Sequence, residues 1–207
     1  MPLDRNDLPL RCRCGRVHGV ARDVAPSAGF RFVCYCRDCQ AFARFLARPD
    51  VLDAAGGTDI FQMAAGCVTL AAGADAVRCL CFSSKVLRWY AECCGTPLAN
   101  TAGPSFPMVA LIHSFLDYAA DGRSRAEALG PPPCRIFERS ATGPLPPNAP
   151  APPSLGLFAL RASRILGWWW RGLGGPHPFF DAQTKVPLSA PRVLTPSERA
   201  ALLDGTG

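Results

Sequence analysis

The sequence predicts a mainly β fold, small and antiparallel, with one short helix after a central run of cysteines and an amphipathic helix near the C-terminal end. Three observations carry this expectation. Short apolar runs are bounded by glycine, proline and aspartate, the pattern of strands joined by turns. Cysteines gather mostly at the ends of those runs. A single stretch of helical periodicity follows a proline-rich connection.

A chain of 207 residues, 49% hydrophobic and 18% charged, can build a real core, while 21 prolines and 19 glycines promise many loops. The net charge of +6 comes almost wholly from arginine, since Lys85 and Lys185 are the two lysines. Such a surplus permits an anionic partner without requiring one. The opening residues 1–7 carry charges where a signal peptide needs an apolar run, so a cytoplasmic location is expected. In a reducing compartment eleven cysteines do not form a disulfide framework, and clustered ones are candidates for metal binding. The most apolar segment, residues 155–170, is interrupted by Arg161 and Arg164, and no membrane span is expected.

In chain order, Arg11-Cys12-Arg13-Cys14-Gly15 places two thiols on a turn that Gly15 permits, and strand-like alternation follows over residues 17–20. Residues 30–35 read as a strand that delivers Cys34 into Cys34-Tyr35-Cys36-Arg37-Asp38-Cys39. Asp38 is the expected N-cap of a short helix over residues 39–47, with Phe42, Phe45 and Leu46 on one face and Arg48-Pro49 ending it. Strands are then expected at 59–63, 68–71, 77–82, 87–91 and 108–115. Cys93-Cys94-Gly95 forms a third thiol cluster between the last two. Pro131-Pro132-Pro133 and the segment 143–153 are too stiff and donor-poor for regular structure. Residues 1–140 are therefore read as one domain, 141–154 as a proline-rich linker, and 155–207 as a helix and extended tail packing on the domain. At about 100° per residue, Leu155, Phe158, Ala159, Ala162, Ile165, Leu166, Trp169 and Trp170 share one arc. Arg161, Arg164, Arg171 and Trp168 fall on the other side, so Trp169 and Trp170 are expected to pack against the domain. Thr195 and Pro196 suit the start of a final helical turn or two.

Three thiols within six residues have the density of a metal site. A tetrahedral zinc with sulfur at roughly 2.3 Å needs ligand sulfurs about 3.8 Å apart, whereas residues i and i+2 of a flat strand sit roughly 6.6 Å apart. The chain must fold over at Cys34, Cys36 and Cys39. Three protein ligands with an open position is the usual catalytic zinc arrangement, and four closed ligands the structural one.

Taken together, Cys12-Arg13-Cys14-Gly15, Cys34-Tyr35-Cys36-Arg37-Asp38-Cys39, and Cys81-Phe82-Ser83-Ser84 followed by residues 88–98 resemble the glutathione-dependent formaldehyde-activating enzyme family, which includes the centromere protein V type domains. The resemblance covers roughly residues 10–116 and implies a small β-tent zinc fold. It implies that the first C-x-C and a late C-x-x-C hold a structural zinc. It also implies that C-x-C-x-x-C holds a second, three-thiolate zinc linked to carbon–sulfur lyase activity on the glutathione–formaldehyde adduct. The chain beyond residue 140 is similar to the extension of an uncharacterised bacterial subgroup.

One position departs from the pattern. Ala91 stands where the late motif has its first cysteine, and an additional thiol is present at Cys93. Cys12, Cys14 and Cys94 carry over to the first site, but adjacent cysteines chelate one ion only in a strained ring. Cys93 therefore closes either the first site or the second, and in the latter case no open position remains. The candidate metal ligands are Cys12, Cys14, Cys34, Cys36, Cys39, Cys93 and Cys94. With the second site open, Arg31, Arg37 and Arg88 would offset its charge or bind the carboxylates of a small thiol such as glutathione.

The remaining chemistry-bearing residues have ordinary readings. Cys67, Cys79, Cys81 and Cys134 are expected in packing, His18 and His113 in strands, and His177 in a loop. Asp38 suits a base or a cap, and Ser83 and Ser84 have no paired histidine to activate them. Aromatic residues fall mostly in strand alternation, which favours a core role over nucleic-acid binding.

Overall fold

The computed structural model describes residues 4–82 and 86–204. The architecture is mixed α/β and mostly strands, arranged in two sheets. The small sheet has the order β1-β2-β5, built from Leu8–Arg11, His18–Ala21 and Val68–Ala72. The large sheet has eight strands. β3 (Phe30–Cys34), β4 (Thr58–Ala64), β9 (Met108–Ile112), β8 (Thr96–Thr101), β7 (Leu87–Ala91) and β6 (Val77–Cys81) lie side by side and antiparallel. β10 (Arg135–Ile136) and β11 (Arg192–Val193) add to its two edges in parallel, a departure from the antiparallel expectation; both lie beyond the contiguous run of strands that ends at β9.

The strands expected from alternation are found within a few residues, except that the last turns into a 3-10 helix at His113–Phe115. β1 and β8 are additions. β8 contains Pro97, which lacks an N–H, and the β7–β8 register shifts between Trp89 and Tyr90, opposite it. Helix α1 runs Arg37–Phe45, two residues earlier than the sequence suggests. Its cap is Cys36, whose sulfur accepts the Cys39 N–H at 3.4 Å; Asp38 lies within the first turn and caps nothing. Two short helices, α2 (Tyr118–Asp121) and α3 (Arg125–Leu129), precede β10.

The main core fills the space between the sheets around Trp89, which is fully buried and donates through Nε1 to Thr101 Oγ1 at 2.8 Å. Phe179 stacks on Trp89 with centroids 4.9 Å apart, and Phe180 meets it edge-on at 5.6 Å. The tail is thus partly a plug in the core, where simple extension over the surface was expected. His177, placed in a loop by the sequence, is buried against Phe180. Burial, and then Lys185, push its pKa down to about 4.

Helix α4 spans Leu155–Trp170, as its periodicity implies, but packs on a different face. Trp168 is 7% exposed, whereas Trp169 is 64% and Trp170 87% exposed. Arg161 Nε donates to Gln62 Oε1 at 2.7 Å, and Arg164 donates to the Gly29 carbonyl. These bonds bring the arginine side inward with Leu157, Ile165 and Trp168 and leave most of the apolar arc outside. Helix α5 (Pro196–Asp204) then covers α1 through Leu202 and Leu203, capped by Thr195 Oγ1 at the Glu198 N–H, 3.3 Å. Among the described residues no helix is long and apolar enough to cross a membrane.

Candidate metal centre

The seven cysteines read as ligands fall into two groups, each with its sulfurs within 4.8 Å of one another. The first joins Cys12 and Cys14, on the turn after β1, to Cys93 and Cys94, on the turn between β7 and β8. Cys12 and Cys14 are 3.6 Å apart, Cys14 and Cys93 3.3 Å, Cys12 and Cys93 4.0 Å, and Cys93 and Cys94 3.9 Å. These values bracket the roughly 3.8 Å of a tetrahedral sulfur cage. Adjacent Cys93 and Cys94 do reach one centre, because each thiol pair is followed by a left-handed glycine that folds the chain over. Gly15 has φ +83° and Gly95 φ +63°.

Hydrogen bonds favour the thiolate at Cys94, while burial holds the Cys12 thiol up. The Val17 N–H donates to Cys12 Sγ at 3.3 Å, and Thr96 Oγ1 lies 3.1 Å from Cys94 Sγ. Thr96 Oγ1 in turn accepts from the Arg13 N–H at 3.0 Å and from Arg48 at 3.3 Å. Burial opposes ionisation of Cys94, but the bonds from Thr96 and from backbone donors outweigh it and bring the pKa to about 6. Cys93 moves the other way, through burial and the neighbouring Cys14 thiol.

The second group is Cys34 at the end of β3, Cys36 at the helix cap and Cys39 in the first turn of α1. Cys34 and Cys39 are 3.7 Å apart and both buried; Cys36 is half-buried. Cys93 is not in this group. Its distinctive neighbour is Arg88, whose side chain is 5% exposed and whose Nη1 donates to Cys39 Sγ at 3.6 Å. Bonds from Cys34 and Cys36 and the Arg88 charge lower the Cys39 pKa against its burial, while bonds to its partners push Cys34 up. Burial works against the Arg88 charge, and the Cys39 and Cys36 sulfurs more than offset it. Asp38 lies 3.7 Å from Arg88 and 3.5 Å from Arg199 of α5, so the tail reaches the rim of this group.

A cavity of about 10 Å³ lies beside Cys39, lined by Thr58, Arg88 and Asn100 among others. Thr58 Oγ1 and Arg88 Nε are buried there without hydrogen-bond partners among the described residues. A space of that size fits one water.

The other candidates fall elsewhere. Arg31 is buried in a two-pronged ion pair with Asp59, at 3.0 and 2.6 Å, and also donates to the Gly130 carbonyl, so it is committed to the core. Arg37 is exposed and pairs with Asp204 at 3.2 Å. His18 and His113 meet backbone carbonyls of Gly15 and Val51, in neither thiol group. Cys79, Cys81 and Cys134 are buried and Cys67 half-buried, all outside both groups. Ser83 and Ser84 lie outside the described residues. Sequence reasoning weighed Arg88 as a counter-charge but missed Thr96, whose spacing two residues after Cys94 was the available signal.

A model for a family of unknown function, DUF6151, matches residues 5–182, and the chain belongs to that family. The match runs through both thiol groups, helix α4 and the Phe179–Phe180 plug. No curated protein matches the chain. What is established is that two cysteine clusters, of four and three thiols, could hold a metal ion such as zinc.

Proposed function

We propose that this chain is a two-zinc protein of the β-tent type, related to the glutathione-dependent formaldehyde-activating enzymes. Cys12, Cys14, Cys93 and Cys94 close a structural ion. Cys34, Cys36 and Cys39 hold the ion of a carbon–sulfur lyase acting on small thiol adducts. The observation that carries this reading is the three-thiol group with a buried guanidinium against it. Three thiolates around a divalent cation leave one net negative charge, and burying it without a partner is costly. Arg88 supplies the opposite charge.

A zinc ion so bound supplies Lewis acidity toward the oxygen of a one-carbon unit carried on sulfur. The residues set the approach. Cys34 and Cys39 are closed in, so a substrate reaches the group from the half-buried Cys36. Asp38 is engaged by two guanidinium groups and serves as an anchor for Arg88 more than as a free base. Arg37, in an exposed ion pair worth about 0–1 kcal/mol, is the arginine of α1 free to exchange Asp204 for a substrate carboxylate.

A second reading, a non-catalytic zinc module, is favoured by the cavity beside Cys39, which is sized for a water and not for an organic ligand. Zinc-loaded protein incubated with glutathione and formaldehyde distinguishes them. The lyase reading expects faster adduct exchange than in buffer, lost in Cys36→Ala. Exchange no faster than in buffer from about pH 6 to 8 leaves the second reading.

A further inference from the structure

The outward face of α4 has no counterpart in the zinc chemistry. Leu155, Phe158, Leu166, Trp169 and Trp170 are all exposed and share the arc centred away from the domain. Phe106 and Phe137, from separate loops, adjoin it across two open grooves that both include Phe158. An apolar stripe running the length of a helix is far more than the scattered surface residues of an ordinary domain.

The charges around it are mostly positive, with Asp23 near the Arg171 end as an exception. From residue 141 to residue 180 the chain has no Asp or Glu and carries Arg161, Arg164 and Arg171. Arg171, directly after the exposed tryptophans, and Arg139, beside Phe137, are both exposed. Glu138, the acid of that neighbourhood, is already paired with Arg135. Arg161 and Arg164 hold the polar side of the helix flat on the sheet domain, so the whole stripe from Leu155 to Trp170 faces out together. An exposed tryptophan pair at one end of an apolar stripe, with the exposed Arg171 beside it and Arg139 near Phe137, fits the boundary between acyl chains and anionic headgroups.

We propose that α4 docks this protein on an anionic lipid surface, lying in the interface with Phe158, Leu166, Trp169 and Trp170 inserted. The docking is peripheral, because α4 is too short and too interrupted to span. Its basis is separate from the zinc reading and survives that reading's failure.

The full-length zinc-loaded protein is mixed with vesicles of phosphatidylcholine alone or of phosphatidylcholine with phosphatidylglycerol, and binding is read by co-sedimentation and tryptophan emission. The expected result is binding to the mixed vesicles with a blue-shifted emission, weakened by salt, and at least about tenfold weaker binding to phosphatidylcholine alone. The Trp169→Ser/Trp170→Ser variant keeps its melting temperature, since both rings are exposed, and loses at least about tenfold in binding. Absence of binding to the mixed vesicles overturns the proposal. So does equal binding by the variant, equal binding to both vesicles, or a lipid-free dimer that the variant abolishes.

Discussion

The two thiol groups are built from the same side chain and differ in almost everything else. The four-thiol group joins two turns far apart in sequence, has exposed members in Cys14 and Cys93, and is tuned by neutral donors, the Val17 amide and the Thr96 hydroxyl. The three-thiol group comes from one continuous stretch, is mostly buried, and is balanced by a full positive charge. Around a divalent ion four thiolates would carry two net negative charges and three would carry one. The partly exposed group can leave its charge to solvent and hydrogen-bond donors, while the buried group needs an internal cation. Strand β7 serves both, with Arg88 facing one group and Cys93 and Cys94 in the turn that follows it.

The largest expected effect separates the two by stability. Cys12→Ala breaks a tie between β1 and the β7–β8 turn and should lower unfolding stability by about 5 kcal/mol or more, measured by urea denaturation with zinc present. Cys36→Ala cuts a local loop only and should cost clearly less. Equal losses would erase the distinction between a closing site and a working one. Next is Arg88→Met, which leaves the three-thiol group without its cation and should cost about 3–5 kcal/mol, with part of the loss restored in Arg88→Lys. An Arg88→Met protein as stable as the wild type would mean that the group is not anionic.

Phe179→Ala tests the strand the groups share. Removing the ring stacked on Trp89 should cost about 3 kcal/mol and leave the zinc content unchanged. The same plug also carries a pH dependence. Burial holds His177 at about 4, below its ordinary value, so the unfolded chain takes up more protons than the native one between about pH 6.5 and 4. Its stabilisation is complete above that window and is lost as pH falls through it. His177→Gln should flatten this part of a stability-versus-pH curve, and an unchanged slope would place the titration elsewhere.

The two thiol groupings were legible because closely spaced cysteines mark a candidate metal site, and both C-x-C motifs state their spacing outright. The assignment of Cys93 was not, since it depends on a left-handed turn at Gly95 that spacing alone does not disclose. Most of the large sheet could be read from alternation, but β8 was hidden by Pro97. Helix α4 was found by its period and misjudged in its facing. Periodicity locates an apolar arc, and here the hydrogen bonds of Arg161 and Arg164 decided which arc packs. The Phe179 plug follows a proline-rich turn with no periodicity, so nothing local marked it as core.

Metal content per chain tests the central claim most directly, by elemental analysis of protein reconstituted with zinc and freed of loosely bound ions. Two separate centres predict two zinc ions in the wild type and one in each of Cys12→Ala and Cys36→Ala. A wild-type content of one or fewer, or the loss of both ions from either variant, would contradict it.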